Sequence, residues 1–306
     1  MLVVGGTGLI GRALAGALVD AGLQPLLAAR HEPAPGLLPA GARFVGADRV
    51  ELPMLIGSGR ILAGPTLPLG VVDVLATGPQ ETAPLLQSLG RRRGRFVAIG
   101  SAAVYGQALR GLRYGEATVP LPSTEPMRRK LALEQLIAAH SASGRGATML
   151  RVAYPYGPGH GPLTPLGRTR ELFARLAGGD PVDWVAPGEF APLQPLAAAD
   201  LARAIVALLT RDDPVRPLYH VAGPEIVDWG EYLRLLARGN PLDGRVRLHR
   251  ADALMAMNPA AWWIGSHLRQ APLLDDAPLR REVYACDTRL VDALPEWAAW
   301  CSSGRP

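Results

Sequence analysis

A run of glycines directly after a short apolar segment is the feature that most constrains the fold of this chain. Leu2-Val3-Val4 is typical of a buried strand, and Gly5-Gly6-Thr7-Gly8-Leu9-Ile10-Gly11 follows it at once. A stretch rich in alanine and leucine continues to Val19 with apolar residues at helical spacing, and Gly22 ends it. Strand, glycine turn and helix in this order predict a dinucleotide-binding unit. Such a turn lets the backbone approach a pyrophosphate and directs a helix N-terminus at its charge.

The residues of this turn are predicted to hold the phosphates of a dinucleotide. A tight turn with a purely structural role is the alternative, but the strand before it and the helix after it are the context that supports binding. We therefore expect cofactor contacts from Gly5, Thr7, Gly8, Leu9, Ile10, Gly11 and Arg12.

The end of the second predicted strand bears on which dinucleotide binds. The strand runs from Pro25 to Ala29 and is followed by Arg30, with no acidic residue at its tip. An NAD site places Asp or Glu there to hold the ribose 2′-hydroxyl, whereas an arginine suits a 2′-phosphate. We predict NADP(H), with Arg12 as a second positive contact. NAD(H) stays open as the alternative, as does a solvated loop position for Arg30.

Three further segments resemble a known family when they are combined with the glycine turn. They are residues 71–76, a strand ending in Ala76-Thr77-Gly78; residues 96–106, a strand entering a loop at Ser101; and residues 150–159, a strand with a Tyr-Gly-Pro-Gly exit. In this order they resemble the extended short-chain dehydrogenase/reductase family, the NAD-dependent epimerase/dehydratase group. The resemblance continues to residues 287–289 and covers nearly the whole chain.

The resemblance implies an α/β fold, a Rossmann-type doubly wound parallel sheet with a smaller interleaved C-terminal α/β substrate lobe. We expect residues 1–158 to form the dinucleotide-binding domain, with residues 192–223 returning to it. Residues 159–191 and 224–306 then form the lobe, where the sequence is richer in proline, tryptophan and irregular segments. The resemblance also implies a homodimer and a small-molecule substrate.

The catalytic residues of the family are matched only in part. The resemblance implies that Ser101 holds the substrate oxygen and that Lys130 binds the nicotinamide ribose. In the family, the lysine also lowers the pKa of a tyrosine four residues earlier, but that position is Pro126. Hydride transfer leaves an alkoxide that needs a positioned acid, and proline offers no hydroxyl. Proline is well tolerated in a first helical turn, so the segment predicts a sound helix start without an acid.

Several groups could replace the missing acid, and the sequence leaves the choice among them open. Tyr105 follows Ser101 by four residues and is either a substrate-binding and catalytic residue or a packing residue of the loop. Tyr154 or Tyr156, beside His160, could offer a proton from the substrate side, as could a water molecule or the substrate itself. We predict Ser101, Lys130 and Tyr105 as catalytic residues and Tyr105, Tyr156 and His160 as substrate contacts. Further cofactor contacts are expected from Asp48 (to the adenine amino group), Ala76, Thr77, Lys130 and Tyr154.

Length and composition exclude several classes of protein. The chain of 306 residues is long enough for a full core and a lobe, and no run approaches the ~20 apolar residues of a membrane span. Met1 stands directly before the first strand, and the only two cysteines, Cys286 and Cys301, fit a reducing compartment. We therefore expect a cytoplasmic protein without a signal peptide. The six histidines show no ligand spacing, so no metal site is expected.

The net charge of +5 raises the question of nucleic-acid binding. Basic residues cluster at Arg91-Arg92-Arg93, Arg128-Arg129 and Arg280-Arg281. The first cluster follows a predicted helix end, where cations interact favourably with the helix dipole, and no aromatic residues alternate with the arginines. We interpret these clusters as solvated surfaces and do not expect a nucleic-acid partner.

The sequence thus predicts an NADPH-binding, atypical short-chain dehydrogenase/reductase acting on a small or medium organic substrate in a specialised biosynthetic pathway. Carbonyl reduction, double-bond reduction and a non-redox rearrangement in the same pocket all fit. The alternative is a catalytically silent NAD(P)-binding sensor, partner subunit or RNA-binding module, which the loss of the tyrosine favours. Gly46-Ala47-Asp48-Arg49 resembles a segment of the bacterial relatives of chloroplast stem-loop RNA-binding proteins and keeps the last of these open.

Overall fold

Strands and helices alternate through most of the chain. The structure, a computed structural model, describes residues 1–34, 36–62, 70–89, 94–106, 112–259, 265 and 267–304, and the Arg91-Arg92-Arg93 cluster lies outside them. The strands are β1 (Leu2–Val4), β2 (Leu26–Ala29), β3 (Arg43–Gly46), β4 (Gly70–Asp73), β5 (Arg95–Ile99), β6 (Arg113–Tyr114), β7 (Ala147–Val152), β8 (Tyr154–Tyr156), β9 (Leu163–Thr164), β10 (Gly167–Arg168), β11 (Val182–Val185), β12 (Pro195–Ala197), β13 (Leu218–Val221), β14 (Val246–His249) and β15 (Leu273–Leu274). The helices are α1 (Leu9–Asp20), α2 (Leu52–Gly57), α3 (Pro79–Leu89), α4 (Glu125–His140), α5 (Leu172–Gly178), α6 (Ala198–Thr210), α7 (Trp229–Ala237), α8 (Ala251–Met257), α9 (Ala277–Glu282) and α10 (Leu290–Ser302).

One parallel sheet organises the first part of the molecule. Its seven strands lie in the order β13-β7-β5-β4-β1-β2-β3 within the described residues. Leu2 of β1 is in register with Leu26 of β2 on one side and with Val71 of β4 on the other. The chain therefore winds outward from β1 in both directions, and the strand order reverses between β1 and β4. This confirms the predicted Rossmann-type doubly wound fold, whose ligands bind in the crevice at that reversal.

Helices cover both faces of this sheet because the side chains of its strands alternate. In β1, Val3 belongs to a buried cluster that contains Leu14 of α1 and Ile205 of α6. Leu2 and Val4 point to the opposite face, where another buried cluster includes residues of α2, α3 and α4. Consecutive residues of a strand point to opposite faces, so a continuously apolar strand such as β1 must be covered on both sides.

The lobe has an aromatic core of its own. Trp184 and Trp229 are almost fully buried, and their ring centroids are 5.7 Å apart. The Trp184 Nε1–H donates to the Trp229 carbonyl oxygen at 2.8 Å. The Trp297 Nε1–H donates to the His160 carbonyl oxygen at 2.7 Å and joins α10 to the loop after β8. Segments before β12 and after β13 thus pack together in one lobe, which is interleaved with the sheet domain.

A buried ionic network connects α4 to the two outer strands β7 and β13. The Arg151 guanidinium donates to the Glu134 carboxylate at 2.9 and 2.5 Å, and its Nη1 donates to the Tyr105 hydroxyl at 2.7 Å. The Tyr105 hydroxyl lies 2.8 Å from His220 Nε2. Removing one partner from such a network leaves a buried charge without compensation, so a substitution of Arg151 or Glu134 alone should destabilise the fold.

His220 is the member of this network whose pKa differs most clearly between the folded and the unfolded chain at acidic pH. The side chain is fully buried, and its Nδ1 lies 3.1 Å from the Asp275 carbonyl oxygen, which leaves Nε2 as the unprotonated nitrogen of the neutral ring. Nε2 faces the Tyr105 hydroxyl, which also donates to the Gly115 carbonyl oxygen at 3.0 Å. Burial, and secondarily the charge of Arg151, lowers the pKa of His220 to about 4. The neutral ring is therefore the form that the fold selects.

We expect this histidine to make stability depend on pH. Between about pH 6.5 and about pH 4, His220 is protonated in the unfolded chain but stays neutral in the folded protein. The free energy of unfolding therefore decreases as the pH falls through this window. The loss is at most about 3 kcal/mol, since each pKa unit corresponds to roughly 1.4 kcal/mol. Urea unfolding at the two ends of the window measures it.

The variant His220→Gln is the control, because glutamine keeps an acceptor but does not titrate. At neutral pH the variant should be less stable than the wild type, and the difference should narrow towards pH 4. A difference that is the same at both ends of the window would contradict the assignment.

Candidate functional site

A cleft of about 660 Å³ lies at the carboxyl ends of β1, β2 and β4, where the strand order reverses. Backbone and side chains of the sheet domain form most of its wall, and His160 and Arg168 line it from the lobe. The residues lining it are Val4, Gly5, Thr7, Gly8, Leu9, Ile10, Ala28, Ala29, Arg30, His31, Ala47, Asp48, Arg49, Leu52, Val74, Leu75, Pro155, His160 and Arg168.

The glycine turn forms the floor of this cleft and requires its glycines for distinct reasons. Gly5 has a φ of +83° and donates its N–H to the Ala28 carbonyl oxygen at 2.9 Å. A Cβ on Gly11 would come within 2.3 Å of the Gly5 carbonyl oxygen, so helix α1 can pack this closely on the turn only without a side chain. A Cβ on Gly8 would meet nothing nearer than 3.9 Å, and Gly8 itself lines the cleft.

Helix α1 presents free backbone donors to the cleft. Its N-cap is Gly8, and no side chain caps its first turn. The N–H groups of a first helical turn have no partner within the helix and attract phosphate together with the helix dipole. The turn therefore fits a dinucleotide pyrophosphate, as the sequence predicts for Gly5 to Gly11.

Two arginines lie at the end of the cleft that follows β2 and β3. Arg30 is exposed and forms no ion pair within the described residues. Arg49 pairs with the fully buried Asp73 and donates to the Thr82 hydroxyl at 2.8 Å. Asp48, predicted to contact adenine, lines the same end, and its Oδ1 accepts the Val50 N–H at 3.1 Å. Arg30 therefore offers an uncompensated positive charge beside the predicted ribose position.

Arg12, predicted as a second positive contact of the cofactor, lies beside the cleft and not in its lining. Its Nε–H donates to the Thr7 carbonyl oxygen at 2.7 Å, which braces the outside of the glycine turn. The side chain lines a second cavity, which it shares with Tyr156, Arg203 and Trp300 on the far side of the turn. Arg12 is therefore not among the residues that line the cleft with Leu9 and Ile10.

The two matched catalytic residues lie at the carboxyl end of the neighbouring strand β5. The Lys130 Nζ donates to the Ala76 carbonyl oxygen at 3.0 Å, and burial lowers the pKa of this lysine. Ser101 caps a short 3₁₀ turn, where its hydroxyl oxygen accepts the Ala103 N–H at 3.1 Å, and α4 packs against this turn. Thr77 is exposed beside Ala76. The structure thus brings Ser101 and Lys130 to one edge of the sheet.

Pro126 occupies the first turn of α4 and is exposed. Thr124 is the N-cap of this helix and forms no side-chain cap, so proline at the start fits the local backbone. The helix therefore begins as the sequence predicts, and no phenol lies one turn before Lys130.

The tyrosines considered as replacements do not direct their hydroxyls into the cleft. Tyr105 is almost fully buried, its hydroxyl is held by Arg151 and His220, and burial raises its pKa to about 12. This geometry favours the packing role of Tyr105 over the predicted catalytic and substrate-binding roles. The reason is that the buried Arg151 guanidinium needs an acceptor, and Tyr105 supplies it.

Tyr154 and Tyr156 also lie apart from the cleft that their neighbour Pro155 lines. Both hydroxyls are buried without a hydrogen-bond partner within the described residues, and burial raises both pKa values. Tyr156 packs on Trp297 with ring centroids 5.1 Å apart. The alternation of β8 turns both rings towards the lobe core and away from the positions that the predicted cofactor contact of Tyr154 and substrate contact of Tyr156 require. His160 does line the cleft.

Sequence reasoning missed Arg49 and Arg168 as cleft residues. Arg49 follows the predicted adenine contact Asp48 and could have been found from that spacing. Arg168 carries no such signal, since it reaches the cleft from the short hairpin of β9 and β10 in the lobe. The described residues contain no cluster of His, Cys, Asp or Glu that could hold a metal ion, and no helix among them is long and apolar enough to cross a membrane.

Comparison with known proteins agrees with this architecture. The profile of the NAD dependent epimerase/dehydratase family matches residues 71–222. A curated relative, dTDP-6-deoxy-L-talose 4-dehydrogenase (NAD(P)(+)) of Kitasatospora kifunensis, is 30% identical over 192 residues. That match spans 58% of this chain and 59% of the relative, so the chain matches about three-fifths of the relative's length.

Solved structures share the fold over nearly the full length. The dTDP-glucose 4,6-dehydratase of Streptomyces venezuelae with NAD bound is 21% identical, with a TM-score of 0.75 over 99% of this chain and 97% of that one. The UDP-glucose 4-epimerase of Thermotoga maritima with UDP-glucose is 17% identical, with a TM-score of 0.75 over 98% and 97%. Fold, glycine turn and lysine define an extended short-chain dehydrogenase/reductase. The chain belongs to the NAD-dependent epimerase/dehydratase family of enzymes.

We expect Gly11→Ala to destabilise the protein and to close the cleft floor. Its Cβ would meet backbone atoms of Gly5 and Gly6 at 2.3 to 2.6 Å, which forces α1 away from the turn. The free energy of unfolding should fall by about 1–3 kcal/mol, as for other overpacked sites. Denaturant unfolding measures the change.

Gly16→Ala is the matched control in the same helix. A Cβ at Gly16 meets nothing within 4 Å, so alanine should stabilise α1 by up to about 1 kcal/mol through its helix propensity. Equal effects of the two substitutions would refute the packing role of Gly11.

Proposed function

We propose that this protein is an NADP(H)-dependent oxidoreductase that reduces a carbonyl or double bond of a small or medium organic substrate, or oxidises the corresponding alcohol. The observation that carries the proposal is the cleft itself. An uncapped helix N-terminus and an unpaired Arg30 line it, and Lys130 and Ser101 stand at the adjacent strand ends. A non-redox rearrangement in the same pocket remains compatible with these residues.

The preference for NADP(H) rests on charge at the tip of β2. Ala29 ends the strand, and Arg30 and His31 follow it into the cleft where an acid would hold a 2′-hydroxyl. Arg49 adds a second guanidinium, although its charge is compensated by Asp73. A 2′-phosphate would gain a charge-assisted contact with Arg30, whereas NAD(H) would leave that charge unused.

The reaction type is supported by the residues at the end of β5. The dinucleotide, once bound, supplies or accepts the hydride. Lys130 would hold the nicotinamide ribose. The Ser101 oxygen already accepts one N–H, and its hydroxyl can still donate a hydrogen bond to a substrate oxygen. The curated relative is named as a 4-dehydrogenase that uses NAD(P)(+), which favours hydride transfer at a carbon–oxygen bond. The proton would come from water or from the substrate, since Pro126 offers none.

The cofactor preference is tested by calorimetric titration of the cofactor-free protein with NADPH and with NADH. NADPH should bind about tenfold more tightly or better, a difference of roughly 1.4 kcal/mol for one charge-assisted contact. The variant Arg30→Gln should abolish the difference by weakening NADPH alone.

Arg43→Gln is the control for this titration. Arg43 is exposed at the opposite, amino end of β3, so the variant removes the same charge away from the cleft and should bind both dinucleotides like the wild type. Absence of binding by the wild type to either dinucleotide would overturn the oxidoreductase proposal.

A second candidate function is a catalytically silent nucleotide-binding protein. The specific observation in its favour is that Pro126 stands where the family places its acid, while the buried network holds Tyr105 away from the cleft. Such a protein would act as a redox sensor or partner subunit. An RNA-binding module would instead show RNA affinity that falls steeply with salt.

The variant Pro126→Tyr separates the two candidates. A phenol one turn before Lys130 would supply the missing general acid and should raise NADPH-dependent reduction of a carbonyl panel by about tenfold or more over the wild type. Pro126→Ala, which lacks the hydroxyl, should leave the wild-type rate unchanged. If wild type and Pro126→Tyr both bind NADPH and neither turns over any substrate, the silent function is favoured.

A further inference from the structure

Arg168 is a positive charge that the lobe carries into the cleft. It stands on β10, whose hairpin with β9 pairs Arg168 with Leu163. Its Nη2 donates to the Pro155 carbonyl oxygen at 3.0 Å, and its Nη1 lies 3.3 Å from the Gly161 carbonyl oxygen. Both acceptors are neutral, and the described residues supply no carboxylate in an ion pair with it. The guanidinium is therefore fixed in position but not neutralised.

The guanidinium of Arg168 is largely buried, so the lack of a described carboxylate partner is energetically unfavourable. Burial lowers the pKa of Arg168, and the phenols of Tyr232 and Tyr154 are the nearby groups that oppose the shift. Burial, and secondarily the charge of Arg168, also lowers the pKa of His160, which faces the same cleft. A largely buried charge without a counter-charge destabilises a protein, and such groups concentrate where a ligand supplies the opposite charge.

The position of Arg168 indicates where an anion that neutralises its charge would bind. Arg168 lines the same cavity as Thr7, Gly8 and Leu9, the residues of the uncapped helix start. The loop that leads to Arg168 packs directly on that start, since a Cβ on Gly159 would lie 3.2 Å from the Leu9 Cα. An anion placed on the N–H groups of α1 would thus be enclosed between helix and lobe.

The matched catalytic residues stand elsewhere. Ser101 and Lys130 are at the ends of β5 and on α4 and are not part of the lining that Arg168 shares with the turn. This separation favours the pyrophosphate of the cofactor over an anionic group at the reacting end of a substrate.

We propose that Arg168 binds the pyrophosphate of the dinucleotide from the lobe side, opposite the N-terminus of α1, so that bound cofactor links the lobe to the sheet domain. The inference rests on the proposed function, because it assigns a residue to the same cofactor. It adds a contact that lies outside the Rossmann-type sheet and its glycine turn. It also explains why the lobe keeps an uncompensated arginine at this place.

The test compares two ligands that differ in the pyrophosphate. NADPH contains it, whereas adenosine 2′-monophosphate carries only the 2′-phosphate that Arg30 is proposed to hold. Calorimetric titration of Arg168→Gln should show about tenfold or more weaker NADPH binding, as for loss of a charge-assisted phosphate contact, and unchanged binding of adenosine 2′-monophosphate. Arg30→Gln should weaken both ligands.

Arg234→Gln is the matched control in the lobe. Arg234 is exposed on α7 and lines no part of the cleft, so removal of its charge should change neither affinity. Arg168→Lys keeps the charge and should retain more of the NADPH affinity than Arg168→Gln does.

Thermal unfolding without ligand distinguishes cofactor binding from a structural role. Since no carboxylate of the described residues pairs with Arg168 in the free protein, Arg168→Gln should unfold at a temperature no lower than that of the wild type. A variant that is destabilised or unfolded without ligand would overturn the proposal, because the arginine would then be holding the lobe together.

The remaining outcomes separate this inference from the function on which it rests. Wild-type binding of NADPH with an unchanged affinity in Arg168→Gln would overturn the inference alone and point to an anionic substrate group. Equal weakening of NADPH and adenosine 2′-monophosphate would also overturn it. Wild-type protein that binds neither NADPH nor NADH would overturn both the inference and the proposed function.

Discussion

The close contact between α1 and the glycine turn is the constraint on which the rest of the structure depends. Gly11 lies so near the Gly5 carbonyl oxygen that no side chain fits between them. This contact sets the start of α1 over the end of β1 and leaves its first N–H groups uncapped. The cleft, its positive end at Arg30 and its closure by the lobe all follow from that placement. A chain with the same sheet but a bulkier turn would have no room for a pyrophosphate.

The second determinant is how the molecule distributes its buried charges. Arg151 and Glu134 compensate each other and use the Tyr105 hydroxyl as a further acceptor, which commits that tyrosine to the core. Arg49 is compensated by Asp73, so it positions the cleft wall rather than serving as an open cation. Arg30 and Arg168 are left without carboxylate partners in the described part of the chain, one at each side of the cleft. The geometry therefore suits an anionic ligand far better than it suits proton transfer from a tyrosine.

The outcome of the sequence predictions follows the range of the interactions involved. The glycine turn and the helix start at Pro126 depend on neighbouring residues, whereas the sheet, which pairs distant strands, follows from the family resemblance; the sequence predicts all three correctly. Arg12, Tyr105, Tyr154 and Tyr156 were assigned from spacing along the chain, which does not show where a side chain points. Arg12 lines a second cavity beside the cleft, and the three tyrosines pack in or against the buried clusters. The sequence does not predict Arg168 as a cleft residue, because its hairpin reaches the glycine turn only through the packing of the lobe.

The sequence by itself determined the family, the class of fold, the dinucleotide turn and the absence of a tyrosine before Lys130, because each depends on residue types at fixed local spacing. Only the tertiary structure decided which side chains face the cleft. Burial, the compensation of charge and the approach of the lobe are set by contacts between distant segments, such as Arg151 with Glu134 or Gly159 with Leu9. Those long-range contacts place Tyr105 in the core and Arg168 in the cleft.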